Sequence, residues 1–412
     1  MKPCGFGHRL WLAVKRFNRM LIGRWAFYSI YWAVLFRTRL TLPMSVAMSR
    51  FVLLFLLLHQ AGMFSTFAAQ EKIQLDASTQ KIVASPWQLQ TSPANVSLRG
   101  LQVVDQNIVW ASGTGGTVIN TIDAGKNWRV LKITGAEELD VRDVHAIDEA
   151  TVIAMTSGTP ARIYRSTNAG ISWKMVFEST DEKVFLDAIA FFNDRVGVAM
   201  SDPIDDRLLL LKTQDSGLTW QRLSDTPKTF PKEAGFAASG TNMATCGGKK
   251  LVVGLGGGES ARPMGSRVMM TDLDLKTWTV ADVPLPRHES AGIFSVHFAN
   301  ETAGVIVGGD YKLPDATEGN FAFTRDGGKT WTVPRERKPP TGFRSCVSVW
   351  MNGNELNFVA VGPNGTDLSA DLGQTWTRIS NEGFHAIQYS PDGKFGWAAG
   401  GEGRVAKWLG RK

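Results

Sequence analysis

One eight-residue pattern recurs along the chain and constrains its fold more than any other feature. The copy TRDGGKTW begins at Thr324, and related octets begin at Thr121, Ser166, Thr213 and Ser369. A degenerate copy, TDLDLKTW, begins at residue 271 and has leucine where the aspartate and the glycine belong. The closing tryptophans lie at positions 128, 173, 220, 278, 331 and 376. A repeat of this length predicts the four-stranded blades of a β-propeller.

Each octet has the composition of a hairpin turn. Its third residue can accept hydrogen bonds from turn amides, and its glycine can adopt a positive φ. The tryptophan then starts the next strand, where its ring can fill the gap between neighbouring blades. We therefore predict a structural role, and not a catalytic one, for the third residues of the intact octets, which are Asp123, Asn168, Asp215, Asp326 and Asp371.

The strands that begin each repeat indicate seven blades. Alternating or apolar first strands are predicted to start at Leu98, Val141, Phe185, Phe236, Ile293, Phe343 and Phe384. After the last of these the sequence supplies only three strands, while the strand-like stretch SPWQLQTS lies before blade one. We expect this stretch to complete the last blade, because closing the ring removes exposed sheet edges. The prediction is an all-β, seven-bladed propeller over residues 85–412, closed by pairing of its N-terminal and C-terminal strands.

The first 69 residues differ from the rest in charge. They hold nine of the 45 lysines and arginines and no acidic residue, which leaves 36 basic against 38 acidic side chains in the remainder. The basic character therefore belongs to this leader, and no nucleic-acid partner is predicted. The apolar run Phe51–Leu58 follows Arg50 and precedes small residues ending at Ala69, which is typical of a cleaved signal peptide.

We therefore expect export to the periplasm or the extracellular space, with residues 70–84 as a linker. Translation from Met44 or Met48 would give a compact signal peptide, so the start at Met1 lies too early in this interpretation. The alternative is one or two interfacial helices that anchor an uncleaved chain. Cys246 and Cys346 fall on blades that are not neighbours, so two buried free thiols are expected.

Cationic residues recur at the second position of the predicted first strands. Arg99, Arg142, Arg344 and His385 occupy it in blades one, two, six and seven, which are consecutive around a closed ring, and Leu186 occupies it in blade three. The three arginines and the histidine predict a positive arc at the channel mouth, where an arginine can donate two hydrogen bonds to a carboxylate or phosphate. The alternative is that each arginine pairs with a nearby acid, such as Asp140 or Asp143, and ties blades together.

The opposite half of the mouth is predicted to be acidic and polar. The loops there contribute candidate ligand-binding side chains, namely Asp202, Glu259, Asp310, Tyr311 and Asn364. Their spacing matches no calcium-binding loop, and the glycines near residue 256 lack the strand-turn-helix setting of a dinucleotide site. No metal and no cofactor are predicted.

The octets resemble the Asp-box, or BNR, repeat that sialidases share with several non-enzymatic propellers. With blades of this length behind a signal peptide, the sequence most resembles the photosystem II stability/assembly factor-like family of seven-bladed propellers. The resemblance spans residue 86 to the C-terminus. It implies a binding platform for membrane-protein intermediates with an arginine-rich surface, to which Arg99, Arg142 and Arg344 correspond by position.

The more distant resemblance to sialidases supplies an enzymatic alternative. Such enzymes combine an arginine triad with a tyrosine nucleophile, a paired glutamate and an acid/base aspartate. The stretch SLRG at residue 97 replaces their FRIP-type motif, and Tyr311 is the one tyrosine placed at the mouth, without an obvious glutamate beside it. As a hydrolase or lyase acting on a carboxylated sugar, the chain would use Asp310, Tyr311 or Glu259 for chemistry.

Taken together, these features predict a non-catalytic, monomeric propeller that binds a protein partner, an anionic small molecule or a glycan. The expected context is the assembly or stabilisation of an envelope or membrane complex.

Overall fold

The computed structural model describes residues 85–90, 92–258, 265–336 and 338–410. The predicted leader and linker and Glu259 lie outside these ranges. The described residues form an all-β structure of seven antiparallel sheets arranged as a seven-bladed propeller, as predicted. None of them belongs to a helix with the length and apolarity needed to span a membrane.

Four blades have four consecutive strands each. Blade one comprises β2 (Leu98–Val103), β3 (Val109–Gly113), β4 (Thr117–Thr121) and β5 (Arg129–Lys132). Blade two comprises β6 (Asp140–Ala146), β7 (Val152–Ser157), β8 (Ala161–Ser166) and β9 (Lys174–Ser179). Blade three comprises β10 (Leu186–Phe191), β11 (Gly197–Ile204), β12 (Arg207–Thr213) and β13 (Gln221–Arg222). Blade six comprises β22 (Cys346–Asn352), β23 (Glu355–Gly362), β24 (Gly365–Ser369) and β25 (Thr377–Ser380).

Blades four and five depart from this pattern. Blade four has five strands, β14 (Glu233–Ala234), β15 (Met243–Cys246), β16 (Lys250–Gly257), β17 (Ser266–Asp272) and β18 (Trp278–Val283). Blade five has three, β19 (Ala291–Phe298), β20 (Gly304–Asp310) and β21 (Phe321–Thr324), and its fourth strand is reduced to one bridge between Phe323 and Thr332. The predicted first strand at Phe236 was wrong, because the inner strand of blade four begins at Met243 and residues 235–242 are irregular.

The two ends of the propeller meet in blade seven, which confirms the predicted closure. Its strands are β26 (Ala386–Tyr389), β27 (Gly396–Ala399), β28 (Val405–Trp408) and β1 (Trp87–Gln90), and β1 pairs with β28. The Trp87 ring lies 4.9 Å from Trp408 and 5.1 Å from Phe384, centroid to centroid. The Trp87 indole N–H donates to Thr366 Oγ1 of blade six at 3.0 Å. The closing strand is thus fixed both within its sheet and to the next blade.

The core is divided among the blade interfaces. Seven apolar clusters of buried side chains each join two neighbouring blades, and one of them packs Leu98 of blade one against Trp397 of blade seven. Trp331, which closes the octet of blade five, packs into the cluster shared by blades four and five. Cys246 and Cys346 are buried free thiols, as expected from their blades.

The intact octets connect the third and fourth strands, or in blade five the reduced fourth strand, and define what we call the octet rim. In the octet that begins at Thr324, Asp326 Oδ1 accepts from Thr330 N at 3.0 Å and Oδ2 accepts from the Thr330 hydroxyl at 2.6 Å. The Thr324 hydroxyl donates to Asp326 Oδ1 at 2.8 Å and accepts from Gly328 N at 3.0 Å. Equivalent side-chain acceptors at the third position are Asp123, Asn168, Asp215 and Asp371.

Candidate binding site at the channel mouth

The inner strands of four blades carry a β-bulge at the same place. In blades one, two, three and five the pairing skips one residue near the start of the strand, namely Arg99, Arg142, Asp187 and Phe294. A bulge breaks the alternation of the pleat and redirects the skipped side chain, which is why bulges are frequent beside binding sites. These four residues define a ring at the face opposite the octet rim, which we call the mouth.

The structure corrects the register predicted from sequence in blade three, through its bulge, and in blade six, through a backbone hydrogen bond. In blade three the ring position belongs to Asp187 and not to Leu186. In blade six the backbone N–H of Arg344 donates to Gly308 O of the preceding blade at 3.1 Å, as Leu98 donates to Gly400 O and Phe384 to Gly362 O. Arg344 therefore corresponds to Leu98 and Phe384, and the next residue, Ser345, occupies the position of Arg99.

Arg344 consequently lies inside blade six, away from the predicted positive arc. Its side chain and that of Asp367 are both 0% exposed and form an ion pair, with Arg344 Nε donating to Asp367 Oδ2 at 2.7 Å. Arg344 Nη1 also donates to Asn364 Oδ1 at 2.7 Å, and Asn364 Nδ2 donates to Pro314 O at 3.0 Å. Burial lowers the pKa of Arg344, and the charge of Asp367 opposes that effect. Arg344 and Asn364 thus fasten the loops of blades five and six.

The other predicted cations do come together, and Arg404 joins them. Burial lowers the pKa of His385, and the positive charges of Arg99, Arg404 and Arg142 lower it further, while a contact of 3.0 Å between His385 Nδ1 and Leu98 O opposes them. Burial lowers the pKa of Arg99 and repulsion from Arg142 lowers it further, while the charge of Asp140 opposes both effects. We call Arg99, Arg142, His385 and Arg404 the cationic cluster.

Within this cluster the arginines have different roles. Arg142 is engaged on all sides, because Nη2 pairs with Asp140 Oδ2 at 2.8 Å, Nε donates to Ser157 Oγ at 3.1 Å, and Nη1 donates to Ala237 O at 2.8 Å. Arg404 donates through Nη1 to Gly383 O at 3.0 Å. The half-buried Arg99 guanidinium has neither a hydrogen bond nor an ion pair to any residue in the described ranges. Arg99 is therefore the cation most available to a ligand.

A segment of blade four forms the floor of the mouth. Residues 235–242, which we call the crossing segment, leave β14 and reach β15 across the channel. Gly235 N donates to Asp202 Oδ1 of blade three at 2.9 Å, and Ser239 Oγ donates to Ser345 O of blade six at 3.0 Å. Thr241 Oγ1 donates to Ser295 Oγ of blade five at 2.7 Å. With the bond from Arg142 of blade two to Ala237, the segment bonds to four other blades and obstructs the channel.

Two carboxyl groups beneath the crossing segment are poorly solvated. Asp187 is 0% exposed and neither of its oxygens has a hydrogen-bond partner among the described residues. Burial raises its pKa well above the ordinary value, the charge of Asp202 raises it further, and Arg142 opposes both effects. Burial likewise raises the pKa of Asp202 to about 6 against the bond from Gly235 N. These groups hold protons more readily than ordinary aspartates.

The remaining predicted residues lie near blade five. Asp310 Oδ2 is 3.6 Å from His288 Nε2, and Asp310 Oδ1 accepts from Lys312 N at 2.9 Å. Tyr311 follows at the end of β20 with 47% of its surface exposed. Among the described residues, which do not include Glu259, no carboxylate is hydrogen-bonded to the Tyr311 hydroxyl.

An aromatic cluster occupies the mouth beside blade five. Phe236 of the crossing segment stacks on Phe294 at 4.3 Å with an interplanar angle of 17°, and Phe343 meets Phe294 edge-on at 4.6 Å. Tyr311 lies 6.2 Å from Phe294 and 6.5 Å from Phe236. The mouth therefore has cationic side chains at blades seven, one and two, and an aromatic cluster built on Phe294 of blade five.

A groove on the opposite rim is separate from this site. It has a volume of about 490 Å³ beside the degenerate octet of blade four and is lined by Lys250, Asp272, Thr279 and Lys329 among others. Its walls are outer-strand side chains and octet turns, and none of the residues predicted from sequence as ligand-binding lines it.

Sequence reasoning missed Asp187, Arg404 and the crossing segment. Arg404 lies in GGEGR, the loop between the second and third strands of blade seven, so the rule that selected Asp202 and Asp310 could have selected it. Asp187 required the correct register of blade three. The crossing segment carried no signal, because FAASGTNM has a mixed apolar and small-residue composition that a strand can share.

Comparison with known proteins supports the fold. No protein-family model matches the chain, and a search of curated proteins finds no relative. Among solved structures, YCF48 bound to a D1 peptide is similar with a TM-score of 0.54 and 18% identity, over 79% of this chain and 97% of that chain. U3-55K is similar with a TM-score of 0.54 and 12% identity, over 78% of this chain and 97% of that chain. The Pan2 WD40 domain of Neurospora crassa is similar with a TM-score of 0.52 and 11% identity, over 77% and 90%. At these identities the likeness establishes the propeller fold alone.

Proposed function

We propose that this chain is an exported, non-catalytic propeller that binds an acidic segment of a protein partner at its mouth. The observation that carries the proposal is the position of Arg99. Its guanidinium lies near Arg142 and His385 without an acid bonded to it in the described part of the chain. Asp140, which is bonded to Arg142, attracts Arg99 but does not outweigh its desolvation and its repulsion from Arg142. An anion from a ligand would offset what remains, because a half-buried cation beside a like charge is unfavourable.

A carboxylate of a bound partner supplies that anion. Arg99 and Arg404 can each present two N–H groups to one carboxylate, which is a geometry that lysine cannot reproduce. The octet resemblance to assembly-factor propellers and the D1 peptide in the YCF48 structure favour a protein segment over a free small molecule. The leader with its apolar run favours a role in assembling or stabilising an envelope or membrane complex.

The test compares capture by three purified proteins from the envelope fraction of the source cells. We expect Arg99→Ala combined with Arg404→Ala to reduce capture of the specific partner at least tenfold, because both donors are lost. Arg222→Ala is the matched control, since Arg222 lies exposed on the outer strand of blade three. Unfolding curves of all three proteins should coincide. Equal capture by the double variant and the control would contradict the proposal.

A further inference from the structure

We infer that the aromatic cluster is a second subsite of the same mouth, which binds an aromatic or large aliphatic side chain of the partner segment. This inference rests on the proposed function and adds the class of sequence that the mouth selects. The occupant is an extended protein segment in which an acidic residue and an apolar residue lie a few positions apart.

The cationic cluster and the aromatic cluster adjoin each other at the crossing segment. Arg142 Nη1 donates to Ala237 O at 2.8 Å, and the preceding residue, Phe236, stacks on Phe294 at 4.3 Å. Of two consecutive residues of the crossing segment, one therefore contacts the cationic cluster and the other belongs to the aromatic cluster. A ligand that lies on this floor meets both.

Apolar surface is exposed to solvent at the aromatic cluster. Phe294 is only 4% exposed and forms the base of the cluster, whereas Tyr311 is 47% exposed and Phe236 is half-buried. Leu313, two residues after Tyr311, is 59% exposed. Exposed apolar side chains that gather at a concave, loop-bearing face are typical of recognition surfaces.

The two clusters together indicate what kind of ligand the mouth binds. A purely apolar ligand would give the charges of Arg99 and Arg404 no counter-ion. A simple anion would leave the aromatic faces exposed to water. A segment that carries both groups satisfies both halves of the mouth. Because Ala237 and Phe236, which contact the two clusters, are consecutive residues, and an extended chain advances about 3.3 Å per residue, we expect the two groups to lie about two to four positions apart.

The experiment uses synthetic twelve-residue peptides acetylated at the N-terminus and amidated at the C-terminus, in a glycine and serine background. Each has one central glutamate and one phenylalanine placed one to five positions to either side, and the reference peptide has serine in place of phenylalanine. Binding is measured by ligand-observed NMR titration, which reports millimolar affinities without a charged label. We expect affinity to peak when phenylalanine is two to four positions from glutamate, by about fivefold over the reference.

Variants separate this subsite from the proposed function. Tyr311→Ala should reduce the phenylalanine advantage to less than twofold while leaving the affinity of the reference peptide unchanged, and Tyr311→Phe should retain it. Ile171→Ala, an exposed residue on the octet rim, is the matched control and should behave as the parent protein. Replacing the glutamate by glutamine, or Arg99 by alanine, should weaken every peptide.

The outcomes are distinguishable. Equal binding of all peptides, with loss only on Glu→Gln or Arg99→Ala, would overturn the aromatic subsite and leave the proposed function standing. Affinity that rises with phenylalanine at any position and persists in Tyr311→Ala would also overturn it. Absence of binding by every peptide would overturn both.

Discussion

The octet rim and the channel mouth treat their carboxyl groups in opposite ways. At the octet rim, the backbone N–H of Asn127 and then its side chain lower the pKa of Asp123 to about 2. Burial alone would raise the pKa of Asp326, but hydrogen bonds from the Thr330 side chain and backbone outweigh it and lower that pKa to about 2. At the mouth, burial raises the pKa of Asp202 to about 6. The octet carboxylates accept hydrogen bonds from turn amides, so these side chains contribute to the stability of the folded protein.

The mouth retains polar groups that do not stabilise the fold. Asp187 is buried with both oxygens unpartnered, and the Arg99 guanidinium has no acid bonded to it, in the described residues. Such groups lower the stability of the folded state and are typical of sites that bind a ligand or a partner protein. The contrast between the rims therefore separates scaffold from recognition surface, and it can be tested residue by residue.

The largest expected effect is a difference in folding stability between alanine substitutions at Arg344 and at Arg99. Arg344→Ala leaves Asp367 fully buried without its partner, so we expect a loss of about 3–5 kcal/mol in the free energy of unfolding. Arg99→Ala removes no hydrogen bond, and the relief of repulsion from Arg142 is countered by the lost attraction to Asp140, so we expect a change within about 0.5 kcal/mol. Urea or guanidinium denaturation measures both. Similar losses for the two variants would remove the distinction between a structural and an available arginine.

The next effect is the pH dependence of stability. Because the folded pKa of Asp202, about 6, exceeds its ordinary value of 3.8, the folded state binds the proton more tightly. The free energy of unfolding should therefore fall as pH rises from about 4 to about 6, with a contribution from Asp202 on the order of 2 kcal/mol. Asp202→Asn keeps an oxygen for Gly235 N, removes the contribution of Asp202 to this slope while that of Asp187 remains, and should be the more stable protein at pH 8.

The octet carboxylates predict the opposite slope, which serves as the internal control. The pKa of Asp326 is lowered, so its contribution is present above pH 4 and is lost as pH falls towards 2. Asp326→Asn should flatten the acid limb below pH 4 and leave the slope between pH 4 and 6 intact. If Asp202→Asn altered the acid limb instead, the assignment of raised pKa values to the mouth would be wrong.

The fold could be predicted because its signals are local and repeated. The aspartate, glycine and tryptophan of each octet are neighbours in sequence, and the turn they form needs no tertiary information. Closure could also be predicted, since Trp87 lies in a strand-like stretch that no other blade needs. The altered blades four and five were harder, because Leu275 adopts the left-handed conformation in the degenerate octet and Thr332 keeps only one bridge of a fourth strand.

The site could be predicted only in part, because it depends on register. A slip of one residue moves a side chain to the other face of a strand. The register aligned from sequence grouped Arg99, Arg142 and His385, whose charges do act on one another in the structure, while in blade six the same alignment selected Arg344, which pairs internally with Asp367. The crossing segment depends on bonds between residues more than 50 positions apart, such as Ser239 to Ser345, and no local pattern encodes those.

A smaller effect is expected from truncating an octet aspartate. Asp326→Ala removes the acceptor for Thr330 N and for two hydroxyl groups, so we expect a loss of about 1–2 kcal/mol in the free energy of unfolding, as for a helix N-cap. In the degenerate octet, the one hydrogen bond that Asp274 accepts from the described residues comes from Lys276 N, so Asp274→Ala should cost less than about 0.5 kcal/mol. Equal costs would show that the intact turn geometry is not what the aspartate stabilises.

The smallest effect tests the strain within the octets. The fourth residue of each intact octet is left-handed, with φ 60° at Ala124 and 76° at Gly327. Alanine is unfavourable in this conformation, whereas glycine adopts it freely but loses more entropy on folding. We expect these terms to leave Ala124→Gly more stable by about 0.5 kcal/mol, measured by thermal and chemical denaturation.

The reverse change, Gly327→Ala, should cost more than Ala124→Gly gains. A methyl group at Gly327 would lie 2.9 Å from Glu301 O, so steric repulsion adds to the conformational cost. Because both substitutions lie on the octet rim, neither should change peptide binding at the mouth. A destabilised Ala124→Gly would mean that unfolded-state entropy outweighs strain, and the octets would then be as well adapted with alanine as with glycine.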